Sequence, residues 1–96
     1  MGNKLRPYTT TGTASAVAVG PQLDSVLYGG MVVDGGDGGA GQVVVTETKS
    51  AIVIDAVAVT GSGTYIQSSH YTELVYCNGG IKVNAPASTK VTVFLA

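Results

Sequence analysis

The segment Val91-Thr92-Val93-Phe94-Leu95 alternates so that Val91, Val93 and Leu95 share one face of an extended chain. A period of two is typical of a β-strand that buries one face. The same alternation in Ser15–Val19 places Val17 and Val19 together. We therefore expect both faces to belong to the core of a β protein.

The other apolar runs are short, rich in valine and threonine, and separated by Gly, Asn, Asp, Ser and Pro, which favours strands and turns over helices. The pattern predicts an all-β fold, a compact antiparallel β-sandwich or jelly roll of about eight short strands, in one domain spanning residues 13–96. The candidate strands are Thr13–Val19, Val26–Val33, Gln42–Thr48, Ala51–Thr60, Thr64–Gln67, Thr72–Tyr76, Gly80–Asn84 and Lys90–Leu95.

Two runs do not alternate. Val43-Val44-Val45 and Ala51-Ile52-Val53-Ile54 are apolar on both sides, as in strands covered on both faces. A domain of this length has little chain left to cover an outer face. We expect a neighbouring subunit to cover the face that carries Val43, Val44 and Val45.

Charge is scarce in this chain. Of 96 residues 11% are charged, against about 25% in ordinary domains. A surface hidden by a partner has less need of charged side chains, so the deficit predicts a homo-oligomer, a trimer or another symmetric group. Five basic and six acidic residues give a net charge of −1, which argues against nucleic-acid binding. We also expect no membrane partner.

The first twelve residues are predicted to form an N-terminal arm or an edge extension that becomes ordered on a partner, with a frayed terminus as the alternative. Lys4, Arg6 and Tyr8 are its candidate contact residues. The segment has no apolar stretch, so we expect no secretory signal.

Three glycine-rich segments are predicted as hairpin turns: a flexible tip at Asp34–Gly41, and tighter versions at Gly61–Gly63 and Asn78–Gly80, of which the last has the better hairpin signal. Gly36–Gly41 formally matches a dinucleotide-binding motif, but a strand follows where that motif needs a helix. Asp34 and Asp37 leave calcium binding open as an alternative to a solvated loop. We expect no cofactor and no metal.

No pattern of residues indicates catalysis. The single histidine, His70, lies near serines, but no nucleophile-elbow motif is present. Cys77 is expected to be a small buried apolar residue. Asp55 lies in the middle of a strand, where it either pairs with a lysine (Lys49, Lys82 or Lys90) or marks an exposed sheet edge. We therefore expect no enzyme activity.

Tyrosine dominates the aromatic residues. Tyr65 and Tyr71 flank the His70 loop, and tyrosine is common both in protein interfaces and in sugar-binding surfaces. A glycan contact made by Tyr65, His70 and Tyr71 is the alternative to a core or interface role.

The order of features resembles that of small β-sandwich virion proteins of tailed phages, of the capsid decoration or cement type. The resemblance is carried by the opening Thr11–Val19, the strand–glycine loop–strand from Leu27 to Val45, the late turn Asn78–Val83, and the closing segment Val91–Ala96. The acidic loop Asp34–Gly41 departs from it.

This resemblance implies a non-enzymatic structural protein on a capsid surface, made in the host cytoplasm. Its partners would be its own copies and the major capsid protein or another virion protein. A glycan-binding tip or fibre module of a phage tail or adhesin is the alternative function.

Overall fold

The computed structural model describes residues 4–36, 39–61, 63, 65–69 and 73–96, and strands make up 59% of it. The described chain contains no helix, as the sequence predicted. Its nine strands are β1 (Arg6–Thr11), β2 (Ala16–Val19), β3 (Val26–Asp34), β4 (Gly41–Glu47), β5 (Val53–Val59), β6 (Tyr65–Ser69), β7 (Val75–Cys77), β8 (Ile81–Asn84) and β9 (Lys90–Leu95).

The strands form two antiparallel sheets, so the predicted sandwich-like all-β architecture is confirmed. The larger sheet has the order β1-β9-β3-β6. Along the same edge of β3, strand β6 pairs with residues 30–34 and strand β7 pairs with residues 26–28. The smaller sheet has the order β2-β8-β4-β5. Strands β1 and β2 contact each other across the sandwich, and a hydrogen bond joins β5 to β6 at the opposite side.

The core lies between the sheets and consists of side chains at alternate positions. The predicted faces are confirmed: Val91, Val93 and Leu95 are buried, Val19 is buried, and Val17 packs against the core. Fully buried side chains from β3, β4 and β8 complete it, among them Tyr28, Met31, Val43, Val45, Ile81 and Val83. Alternation therefore identified the inward face wherever a strand has one polar side.

The glycine-rich segments connect the two sheets. Strands β3 and β4 belong to different sheets, and so do β5 and β6, and β7 and β8. The hairpins expected at residues 34–41, 61–63 and 78–80 are therefore wrong, because the chain crosses from one sheet to the other at each of these places. Asp37, Gly38 and Ser62 lie outside the described residues. Gly36, Gly79 and Gly80 have positive φ, the backbone freedom that such a reversal requires.

Within the described chain, β4 and β5 form the one hairpin between consecutive strands, and its turn contains no glycine. Residues 48–52 make this turn, with Ala51 at a φ of 60°. The Glu47 carboxylate stabilises it by accepting hydrogen bonds from the Ser50 hydroxyl and from the Asn78 N–H. These contacts hold the pKa of Glu47 below its usual value.

Part of the segment that was expected to be an N-terminal arm or an edge extension is an edge strand of the chain's own sheet. Arg6–Thr11 pairs with β9 over six residues and forms an edge strand of the larger sheet. The segment lacks an apolar alternation because its inward-facing residues, Tyr8 and Thr10, are only half-buried and one of them is polar. On the outward face the Thr9 and Thr92 hydroxyl groups are hydrogen-bonded at 2.8 Å. The segment is ordered on its own chain.

A helix with the length and apolarity needed to cross a bilayer does not occur among the described residues.

Candidate interaction site

Three residues predicted to contact a partner, Lys4, Arg6 and Tyr8, surround a single surface cleft of about 320 Å³. Pro21, Leu95 and Ala96 complete its lining. Lys4 and Arg6 are exposed, Tyr8 is half-buried, and Leu95 is buried. The cleft thus has an apolar floor beneath two cationic side chains, and we call it the basic cleft.

Strand pairing and one glycine shape the basic cleft. The β1–β9 register sets Arg6 opposite Leu95 and Tyr8 opposite Val93. Gly20, with a φ of 72°, lies behind them, and a Cβ there would stand 2.6 Å from Leu95 Cδ1 and 3.4 Å from Tyr8 Cγ. The absence of a side chain at Gly20 lets the two larger side chains pack together.

The polar groups of the basic cleft have no partners in the described chain. Lys4, Arg6 and the Tyr8 hydroxyl form no side-chain hydrogen bond or ion pair there. Among the described residues that line the cleft, none has an acidic side chain. Two of the chain's five basic residues therefore lie together at this cleft.

The predicted contact face at Val43, Val44 and Val45 requires correction. Val43 and Val45 are fully buried in the core of the sandwich, so neither can reach a partner. Val44 is half-buried on the outer side of β4. Strand β4 lies between β5 and β8 and is packed on its inner face by the opposite sheet, and the apolar run reflects this central position.

The second run that is apolar on both sides, Ala51–Ile54, is partly exposed to solvent. Ile52 is 63% and Val53 is 56% exposed, at the start of edge strand β5. The sequence marks both residues as part of the apolar run Ala51–Ile54. A run of consecutive apolar residues does not distinguish an edge strand from a central one. We call Ile52 and Val53 the β5 apolar pair.

The predicted glycan contacts are only partly described. Tyr65 begins β6 and its ring is 69% exposed. His70 and Tyr71 lie outside the described residues. The structure therefore places one of the three residues, on the surface.

The acidic loop contributes to a second cleft, of about 290 Å³, lined by Asp34, Gly36, Ser88 and Lys90. Asp34 Oδ1 accepts a hydrogen bond from the Gly36 N–H at 3.0 Å, and Lys90 lies opposite Asp34 in the sheet. Among the described residues no three His, Cys, Asp or Glu side chains are grouped so that they could hold a metal ion.

Asp55 links the two sheets from edge strand β5. Its Oδ2 accepts hydrogen bonds from the Tyr28 and Ser68 hydroxyls, each at 2.8 Å, and its Oδ1 accepts the Ala56 N–H at 2.9 Å. Burial, and then the Asp55 carboxylate, raise the pKa of Tyr28 above its ordinary value. The position of Asp55 in edge strand β5 agrees with the alternative that placed it at a sheet edge.

Cys77 is fully buried, as expected of a small apolar residue. Burial is also the main cause that raises the pKa of its thiol to about 11. The thiolate is the reactive form of cysteine, and it is suppressed at neutral pH.

Comparison of the chain with protein-family models, with curated proteins and with solved structures gave no match.

Proposed function

We propose that the chain is a non-enzymatic structural protein of a virion, a homo-oligomer that decorates a capsid and stabilises its shell. The observation that carries this proposal is a surface poor in charge on which the β5 apolar pair is exposed. Exposed apolar side chains are commonly covered in protein interfaces.

The exposed area is large enough for an association between folded chains. The chain exposes 5160 Å², close to the roughly 5,100 Å² expected of a compact monomer of its mass. A standard interface takes about 800 Å² from each partner, about a sixth of this surface. Copies can therefore associate without any part of the sandwich being opened.

The fold supports the same proposal. Two antiparallel sheets tied by short connections make a rigid body, and β3 and β9, near the middle of the larger sheet, supply much of its core. A protein that fastens a shell needs rigidity and contact surface, and it needs no catalytic group.

The direct test is to find the chain in its particle. Lysate from cells that produce it is separated on a density gradient, and each fraction is analysed by mass spectrometry and electron microscopy. We expect the chain to sediment with capsid particles in a fixed ratio to the major shell protein. Its recovery only in particle-free fractions would contradict the proposal.

A glycan-binding tip or fibre module is the second candidate, favoured by the exposed ring of Tyr65. A glycan array probed with the wild-type chain and with Tyr65→Ala and Tyr71→Ala variants tests it. Binding that both variants lose would support this candidate, and an array without a wild-type signal would eliminate it.

A further inference from the structure

We propose that the basic cleft binds an acidic peptide segment of a partner protein, with carboxylates on Lys4 and Arg6 and an apolar side chain against Tyr8, Pro21 and Leu95. The inference rests on the proposed function for the source of that segment, a shell protein. The chemistry of the cleft itself is argued from the following contacts.

The positive charge of the basic cleft favours an anionic ligand. Lys4 and Arg6 line the same cleft. None of its described lining residues has an acidic side chain, and neither cation has an ion-pair partner among the described residues. The guanidinium group of arginine matches a carboxylate with two parallel hydrogen bonds. The half-buried Tyr8 adds a hydroxyl that no described group engages.

The volume and the apolar lining of the basic cleft favour a peptide as the ligand. The volume of about 320 Å³ lies at the lower end of the range for ligand pockets, about 300–1,000 Å³. Pro21 and Leu95 offer aliphatic surface, which suits an apolar side chain between acidic ones. A nucleic-acid strand fits poorly, because two cations on a chain with a net charge of −1 cannot neutralise a run of phosphates.

The packing around the cleft makes it preformed. The β1–β9 ladder fixes Arg6 and Tyr8 on the side of a sheet, and Gly20 lets Tyr8 pack beside the buried Leu95. The backbone of a site on a strand loses little conformational freedom when a ligand binds. This lowers the entropic cost of binding a short peptide segment.

The test is a titration of the ¹⁵N-labelled full chain, followed by NMR, with the peptide Gly-Glu-Leu-Glu-Asp-Leu-Gly. Its amide counterpart, Gly-Gln-Leu-Gln-Asn-Leu-Gly, is the control ligand. We expect the acidic peptide to shift the amide signals of Arg6, Tyr8 and Leu95, and the amide peptide to bind at least about tenfold more weakly.

The variant Lys4→Gln/Arg6→Gln should lose about tenfold in affinity for the acidic peptide, because both charge pairs are removed. Its matched control, Lys49→Gln/Lys82→Gln, loses the same net charge away from the cleft and should bind as the wild type does. Both variants change exposed side chains, and retained dispersion of their NMR spectra shows that they fold.

Three results would overturn the inference: equal binding of the two peptides, equal loss of affinity in both variants, or displacement of the peptide by equimolar inorganic phosphate, which would make the cleft a site for small anions. A lower oligomeric state of Lys4→Gln/Arg6→Gln in sedimentation would also overturn it, since the occupant would then be a second copy. None of these results depends on whether the chain is found in virions, so the two proposals fail separately.

Discussion

Gly12 shows how strongly single residues are constrained where the chain crosses between sheets. Its N–H donates to the Thr89 carbonyl and its own carbonyl accepts the Ser88 N–H, which holds it against the connection between β8 and β9. A Cβ at this position would press on the carbonyl oxygens of Pro86 and Ala85, the latter at 2.8 Å. Backbone atoms in a corner cannot move aside as a flexible side chain can.

We therefore expect Gly12→Ala to lower the free energy of unfolding by at least about 2 kcal/mol, the cost of overpacking. Gly39→Ala is the matched control, since no atom lies within 4 Å of the Cβ it would add. That control should stay within about 0.5 kcal/mol of the wild type. Urea unfolding followed by circular dichroism measures both, and equal stabilities would contradict the close packing at Gly12.

Tyr28 combines a buried ring with a hydroxyl that donates to Asp55. Removing the hydroxyl in Tyr28→Phe takes one donor from the carboxylate and should cost about 1–3 kcal/mol. Tyr76→Phe is the control, because its hydroxyl donates to the Asp24 carbonyl at an exposed site.

The raised pKa of Tyr28 also predicts how the stability of the protein changes at alkaline pH. The folded-state pKa of Tyr28 is raised above the ordinary value of 10.0, so its contribution to stability is complete below that pH. As the pH rises further, the unfolded chain loses the phenolic proton first and stability falls. Tyr28→Phe should flatten this decline in urea midpoints between about pH 9.5 and 11, while Tyr76→Phe keeps it. The Cys77 contribution, lost between 9.0 and about 11, remains in both. Parallel slopes in the two variants would refute the assignment to Tyr28.

At the scale of elements, the sequence predicted strands wherever apolar residues alternate, as in Val91–Leu95, because burial of one face leaves a pattern with a period of two. It predicted the segment that contains β1 only as an arm or an edge extension and not as a strand, because the inward-facing residues Tyr8 and Thr10 do not form an apolar face. It also could not tell a hairpin from a crossing between sheets, because glycine permits both reversals. Lys4, Arg6 and Tyr8 were predicted as contact residues, but the cleft that they line also depends on Pro21 and Leu95, which are distant in sequence.

Strand β5 is an edge with two features that oppose further strand pairing. Ile54 is an extra residue that shifts the register against β4, and Asp55 turns its carboxylate toward Tyr28 and Ser68 in the opposite sheet. Bulges and inward charges are known means of protecting an edge. The β5 apolar pair precedes both features, so we expect copies to associate there through side-chain packing.

Ile52→Lys and Val53→Lys should each weaken self-association by at least about tenfold, because a buried unpaired ammonium group opposes the contact. Leu23→Lys is the control: Leu23 is 62% exposed, as much as Ile52, but lies in the connection between β2 and β3. All three variants should unfold at nearly the wild-type urea concentration. Self-association that is weakened equally in the Leu23 variant would show that added charge, and not the position on β5, is responsible.

The whole molecule has the dimensions of a compact domain. The Cα radius of gyration is 12.4 Å, matching the roughly 12.5 Å expected for 96 residues. Its exposed area is likewise that of a compact monomer. The sandwich closes its core within one chain, so the homo-oligomer predicted from the shortage of charge would form between folded subunits. The shortage of charge is therefore a property of the outer surface.

Sedimentation velocity of the purified wild-type chain at micromolar concentrations measures directly whether that surface is covered by further copies. We expect a trimer or a larger closed assembly, with the monomer appearing only on dilution. A single soluble species of 9.6 kDa at every concentration would contradict self-association, and with it the proposed role of the charge-poor surface.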